Sequence, residues 1–265
     1  MFEEPFRFVE AIANRREYIE NQISTGSPVV ALNYAGGILL LTLGRERQKI
    51  FEVYDRIALA AIGHPGDIER LRMTAIELAS TEGFTRSAGD VSLRRMANYS
   101  ISPALKQAFE QVYGAPYLAR MLFVELAAEP AQNTFLRVDY DGAIQTNGTP
   151  FSKARQEFAV LSGTRGSADR MERFLKREFK GGLPLAKALH LALDAWAVGF
   201  LALEGEGAGS ADELPEAEAI RRTRREQMEQ AAVEAAVLEN HVSSNITFRM
   251  VSEEELGGLR GDDAG

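Results

Sequence analysis

Two pairs of short apolar runs, each pair closed by a tight turn, limit what this chain can fold into more than any other feature. The first pair is Val29-Val30-Ala31-Leu32-Asn33-Tyr34 and Ile38-Leu39-Leu40-Leu41-Thr42-Leu43, joined by Ala35-Gly36-Gly37. Glycine tolerates positive φ, so this junction reads as a hairpin. The second pair is Lys49-Ile50-Phe51-Glu52-Val53-Tyr54 and Ile57-Ala58-Leu59-Ala60-Ala61-Ile62, with Asp55-Arg56 between them. Strands arriving in hairpin order imply antiparallel sheet.

Helical spacing surrounds these runs. Ahead of them, Phe8, Ile12, Ile19 and Ile23 form one stripe, with Arg15, Arg16, Glu17 and Glu20 elsewhere. Pro5 suits the first turn of that helix and Gly26 its stop. After the hairpins, Ile68, Leu71, Ala75 and Leu78 mark one helix; Leu93, Ala97, Ile101, Leu105, Ala108 and Val112 mark another, with Asp90 as its N-cap. Strand patterns resume at 118–126, 134–139 and 158–162, the last two separated by an Asp141-Gly142 turn. Ser167 then caps a helix carrying Met171, Phe174 and Leu175 that stops at Gly181-Gly182. Pro184 opens a helix with Leu185, Leu189, Ala192, Trp196 and Phe200. Strands at 233–238 and 246–251 precede a helix start at Ser252-Glu253-Glu254-Glu255. Local hairpins with helices inserted in pairs predict an α+β chain, a four-layer α-β-β-α sandwich of two antiparallel sheets with an extra N-terminal helix.

Composition narrows the function classes. At 265 residues and 45% hydrophobic the chain suffices for one domain with a sizeable core. A net charge of -8 and a pI near 5.2 offer no broad field for nucleic acid or an anionic membrane. No cysteine is present, which removes disulfides, thiol catalysis and thiolate metal sites and fits a reducing compartment. The start, Met1-Phe2-Glu3-Glu4-Pro5, is acidic where a secretory leader would be basic, so the expectation is a cytoplasmic protein. Apolar stretches look strand-length or broken by charge, short of the ~20 residues that span a bilayer. His64, His190 and His241 have no metal-ligand spacing, and no nucleotide-binding glycine loop joins a strand to a helix, so neither metal nor cofactor is expected.

The order VVALNYAGGILL, QKIFEVYDRIALAAIG, LRMTAIELASTEGF and DVSLRRMANY, continued by VDYDGAIQ and a VLSG strand before a helix, resembles the proteasome α subunits of actinobacterial type. The resemblance spans most of the chain apart from about residues 204–230 and rests on order and spacing rather than on one motif. It implies the N-terminal-nucleophile hydrolase sandwich and a non-catalytic, gated heptameric ring. That ring would stack on proteolytic β subunits, dock the C-terminal tails of a ring ATPase or other activator, and admit unfolded or tagged proteins.

Hydrolases of this fold use the side chain of a mature N-terminal residue as nucleophile and its freed α-amine as base. Thr25-Gly26-Ser27-Pro28 precedes the first strand, so the competing reading is a self-processing amidohydrolase or peptidase cut before Ser27. Against it, Ser27 is followed by Pro28, no threonine opens the strand, and an amphipathic helix stands where a leader would be. The resemblance further implies that Lys49 pairs with an activator's terminal carboxylate, with Gly26 and His64 near the same pocket. Residues 1–7 would form a gate tail, with Phe2, Pro5, Phe6 and Phe8 as its apolar elements, ahead of a helix over 8–25. Residues 205–230 read as an acidic, glycine-rich loop leading into a solvated helix, whose Arg221, Arg222, Arg224 and Arg225 pair with nearby acids rather than with RNA. Residues 257–265 read as a flexible tail.

Overall fold

The computed structural model of the chain describes residues 5–45, 47–111, 113–146, 156–205, 213–240 and 247–261. Helix α1 (Pro5–Ile23) leads into β1 (Val29–Tyr34), β2 (Gly37–Gly44), β3 (Ile50–Tyr54) and β4 (Ile57–Gly63). Then come α2 (Pro65–Thr85), α3 (Leu93–Met96), α4 (Ser102–Glu110), β5 (Ala119–Glu125), β6 (Thr134–Val138), β7 (Ile144–Thr146) and β8 (Phe158–Leu161). Helices α5 (Arg165–Glu178), α6 (Leu185–Leu203) and α7 (Ala217–Gln230) precede β9 (Ala232–Glu239), β10 (Phe248–Met250) and α8 (Glu253–Gly261).

The strands form two antiparallel five-stranded sheets, ordered β10-β9-β2-β1-β8 and β3-β4-β5-β6-β7. Alternate side chains of a strand point to opposite faces, and here both faces are covered, which explains why the central strands read as unbroken apolar runs. Val29, Ala31, Ile38 and Leu40 enter the core between the sheets, against Ala58, Ala60 and Ile62 of β4. Val30, Leu32, Leu39 and Leu41 face the other way, onto Met171 of α5 and Leu189 and Trp196 of α6. On the far sheet Leu59, Ala61 and Met121 meet Leu71, Ala75 and Leu105 of the α2–α4 layer. The α-β-β-α sandwich is therefore as expected. Ile19 and Ile23 of α1 are buried within the inter-sheet core, so this helix is part of the fold. Each such side chain contributes about 1.5–3 kcal/mol on burial.

Several local expectations change. Helix α1 begins at Pro5 rather than at residue 8, so Pro5, Phe6 and Phe8 stand in its first turns; Phe2 lies outside the described residues. The helix expected through 93–112 is interrupted by a π-helical turn, Ala97–Ile101, and α4 ends at Glu110. Pro103, in the first turn of α4, has no N–H for the carbonyl four residues back, which favours such a break. Asp90 sits in a short 3-10 turn, and Ser92 occupies the N-cap position it was expected to fill. Thr164 caps α5, its hydroxyl accepting the Ser167 N–H at 3.2 Å, while Ser167 is buried and donates to the Gly199 carbonyl. Helix α5 ends at Glu178, ahead of the expected glycine stop.

Residues 257–261 are not a tail but the end of α8, whose Leu259 is buried in the same core as α6. Helix α7 is not solvated all round: Ile220, Thr223 and Arg224 are buried, and Arg224 reaches Asp194 of α6 at 2.8 Å. Arg221, Arg222 and Arg225 remain exposed. Helix α6 also corrects the reading of apolar lengths, since its 19 residues and mean hydropathy of 1.4 meet the length and composition of a membrane span. Ten of them, including Leu189 and Trp196, are buried inside this fold, which accounts for that composition.

Candidate functional site

The chain leaves α1 at Ile23, turns through Gly26 and enters β1 beside the end of β4. The Gly26 N–H closes that turn on the Ile23 carbonyl at 2.8 Å. A Cβ at Gly26 would stand 3.1 Å from Cβ of Ile62, so the turn and β4 approach as closely as they do because no side chain intervenes. Around this corner opens a cleft of about 510 Å³. Gly26, Ser27 and Lys49 line it together with Leu43, Phe51, Ile62 and Ile68, and Trp196 and Phe200 of α6 form its inner wall. Trp196 stacks on Phe200 with centroids 5.1 Å apart.

Of the residues singled out in sequence, the structure thus brings Gly26, Ser27 and Lys49 together. His64 is not in the lining, although Gly63 and Pro65 on either side of it are. Its N–H is spent on the Leu118 carbonyl and its carbonyl receives the Asp67 and Ile68 N–H groups, which starts α2 and leaves the ring exposed. Phe8 is exposed on α1, 47% accessible, and is likewise outside the cleft.

Ser27 is held in place at this corner. Its hydroxyl donates to the Leu43 carbonyl at 2.8 Å and accepts the Trp196 indole N–H at 3.2 Å. The Leu43 carbonyl also accepts the Lys49 ammonium, at 3.3 Å.

Lys49 is half-buried, and burial holds its ammonium below the ordinary lysine value, with the Glu234 charge partly opposing this. No carboxylate among the described residues reaches ion-pair distance of its Nζ. The nearest acid in the lining, Glu69, is exposed and already grips Arg72 through two bonds of 2.7 and 2.8 Å, which lowers its carboxyl pKa. Arg45 and Arg47 add positive charge at the rim. The arrangement is an apolar pocket with one desolvated cation at its edge, suited to an incoming carboxylate carried on an apolar segment.

Sequence reasoning missed Glu234 and assigned Trp196 only to a helix core stripe. Glu234, on β9, accepts the backbone N–H of Lys49 at 3.0 Å and of Ile50 at 2.7 Å. A strand residue 185 positions from its partner leaves no local signal. Trp196 obeyed the helical period because one side of the same ring packs in the core.

No protein-family model matches the chain. Curated relatives do. A proteasome subunit alpha of Kineococcus radiotolerans is 29% identical over 259 residues, covering 94% of each chain. One of Streptomyces griseus is 30% identical over 224 residues, 82% of this chain and 76% of the relative. One of Actinosynnema mirum is 31% identical over 255 residues, 96% of this chain and 85% of the relative. Similarity of that extent, together with the two-sheet sandwich and the integrated N-terminal helix, means that the chain belongs to the proteasome α-subunit family.

Proposed function

We infer that the chain is a non-catalytic subunit of the α ring of a proteasome core particle, and that its cleft receives the terminal carboxylate of an activator. The observation that carries the second part is the Lys49 ammonium: half-buried, beside an apolar wall, and held by a backbone carbonyl rather than by an acid among the described residues. A charge in that position costs solvation that a carboxylate from outside offsets. Gly26 contributes by absence of a side chain, which lets the turn sit close against Ile62 at the corner of the cleft. His64 stands just outside the lining at the head of α2, between Gly63 and Pro65, which belong to it.

On this reading copies of the chain close into a heptameric ring that stacks on a ring of β subunits, where the proteolysis occurs. Residues 1–7 serve on this reading as a gate tail that keeps folded proteins out, with Phe2, Pro5, Phe6 and Phe8 as its apolar elements. A ring ATPase or other activator inserts its tails beside Lys49, and unfolded or tagged proteins then pass. The assembly acts in the cytoplasm. Pro28 after Ser27, and an α1 packed into the core where a leader would be released, argue against the self-processing hydrolase.

The test is Lys49→Ala in the co-expressed α and β particle. Ring assembly and basal peptide cleavage are expected to persist, while activator-stimulated protein degradation is lost. Stimulation at the unaltered level would overturn the pocket assignment.

A further inference from the structure

Lys49 directly precedes β3 in one sheet, and Glu234 lies on β9 in the other, paired across from Thr42 of β2. Three contacts of 2.7–3.0 Å run from the backbone N–H groups of Lys49 and Ile50 to the Glu234 carboxylate. The Lys49 carbonyl is meanwhile bound by the Ala61 N–H of β4 at 3.1 Å. Both polar backbone groups of Lys49 are therefore fixed, one to each sheet, at the floor of the cleft. An ordinary strand start would leave that N–H to water.

We propose that Glu234 is a positioning residue for carboxylate capture: it fastens the Lys49 backbone to the opposite sheet and gives the ammonium a nearby countercharge. The proposal rests on the Lys49 reading above. Glu234 does not compete with the ligand for Nζ, because its oxygens are taken by two N–H groups. Its negative charge nevertheless counters the burial that works against a protonated Lys49. Burial in turn raises the Glu234 carboxyl, opposed by those N–H groups and by Lys49, as befits two opposite charges sharing a partly dry site. Among the described residues, the other charged groups facing Lys49 are few. Arg45 and Arg47 come from its own loop and Glu69 from α2, where Arg72 engages it, while α6 and α7 present Trp196, Phe200 and Gln227.

The sign of the pH effect follows. Capture needs the ammonium, so binding is present below the Lys49 pKa and fades above it. Removing the Glu234 charge lets burial act unopposed, and the alkaline limit of binding moves to lower pH.

The experiment uses assembled rings and a fluorescein-labelled octapeptide with apolar residues at its last three positions and a free carboxylate. Its C-terminal amide is the control. Anisotropy is followed from pH 6 to 10 for the unaltered ring, Glu234→Gln, Lys49→Arg and the double variant. Glu234→Gln keeps the side-chain size and one acceptor; it is expected to bind about tenfold more weakly at neutral pH, with the alkaline limit moved down. Arginine stays charged throughout this range, so Lys49→Arg should lose the limit, and adding Glu234→Gln should not restore it. An unmoved limit in Glu234→Gln, or an equal shift in the arginine background, overturns the proposal. If Lys49→Ala leaves binding intact, the pocket reading itself fails, which is a different result. Should the glutamine ring not assemble, the Lys49 13Cε resonance of the unaltered ring decides. It should respond to Glu234 titration on the acid side, and a featureless acid limb would count against the role.

Discussion

Arg120 on β5 and Glu20 on α1 meet at 2.6 Å, joining the N-terminal helix to the body of the sandwich. Arg120 is buried, and its other nitrogens reach Asp139, just after β6, at 3.0 Å and the Ser162 and Gly163 carbonyls beyond β8. The second Glu20 oxygen accepts the buried Tyr140 hydroxyl at 2.7 Å. One guanidinium thus ties α1, both sheets and the loop into α5, and every nitrogen has an acceptor.

Glu20→Ala should therefore cost about 2–3 kcal/mol, because it strips a charged partner from Arg120 and leaves the Tyr140 hydroxyl unpaired in the interior. The loss is read by chemical denaturation, and amide exchange should rise first in α1. A change below about 0.5 kcal/mol would mean that Asp139 and the carbonyls suffice without Glu20.

How much of this was legible in the sequence follows from the range of each interaction. The strands were legible because both faces of the central sheets are apolar, so alternation collapses into runs such as the one from Ile38 to Leu43. Helices showed through their stripes, and α1 did so because Ile19 and Ile23 enter the core. The π turn before Pro103 was not legible, since Ala97, Ile101 and Leu105 keep helical spacing through it. Nor was the cap on α5, where Ser167 and Thr164 are both competent and tertiary burial of Ser167 decides. In the cleft, Lys49 and Gly26 came from the family resemblance. Glu234, Trp196 and Phe200 arrive from elements joined only by folding.

The C-terminal helix is held by a charge cluster with a definite acid limit. Arg249 of β10 bonds Glu239 and Glu255 at 2.9 Å each, and Ser252 adds its N–H and hydroxyl to Glu255. These bonds, led by those from Arg249, hold the Glu255 carboxyl at about 2. A depressed carboxyl contributes stability that is complete above the ordinary carboxylate range and is lost as pH falls from about 5 toward 2. Glu255 is about a third exposed, so solvent screening trims the effect. Amide protection in α8 should fall across that window, and Glu255→Gln should weaken it at neutral pH and flatten the acid dependence. An α8 whose protection ignores pH down to 2 would contradict the assignment.

Ser27→Ala separates structure from chemistry at the same corner. Substitution removes the acceptor of the Trp196 indole N–H, a loss of about 1 kcal/mol. Degradation by the assembled particle should be unaffected, and intact mass should show no cut before residue 27 in either protein. Cleavage there in the unaltered chain alone would revive the hydrolase.

Trp196 is the chain's single tryptophan, and it lines the cleft, so intrinsic fluorescence reports on this site. Its ring lies against Phe200 and its N–H is committed to Ser27. A peptide carboxylate drawn to Lys49 brings apolar side chains onto that wall and expels water from it. Trp196 is already buried, so its emission should change in intensity, through the altered packing on Phe200, as the free-acid peptide saturates. The amidated peptide should cause no such change, because it lacks the group that Lys49 attracts, and Lys49→Ala should abolish the response to both. Equal responses to acid and amide would show that the apolar wall binds by itself, with the ammonium a bystander.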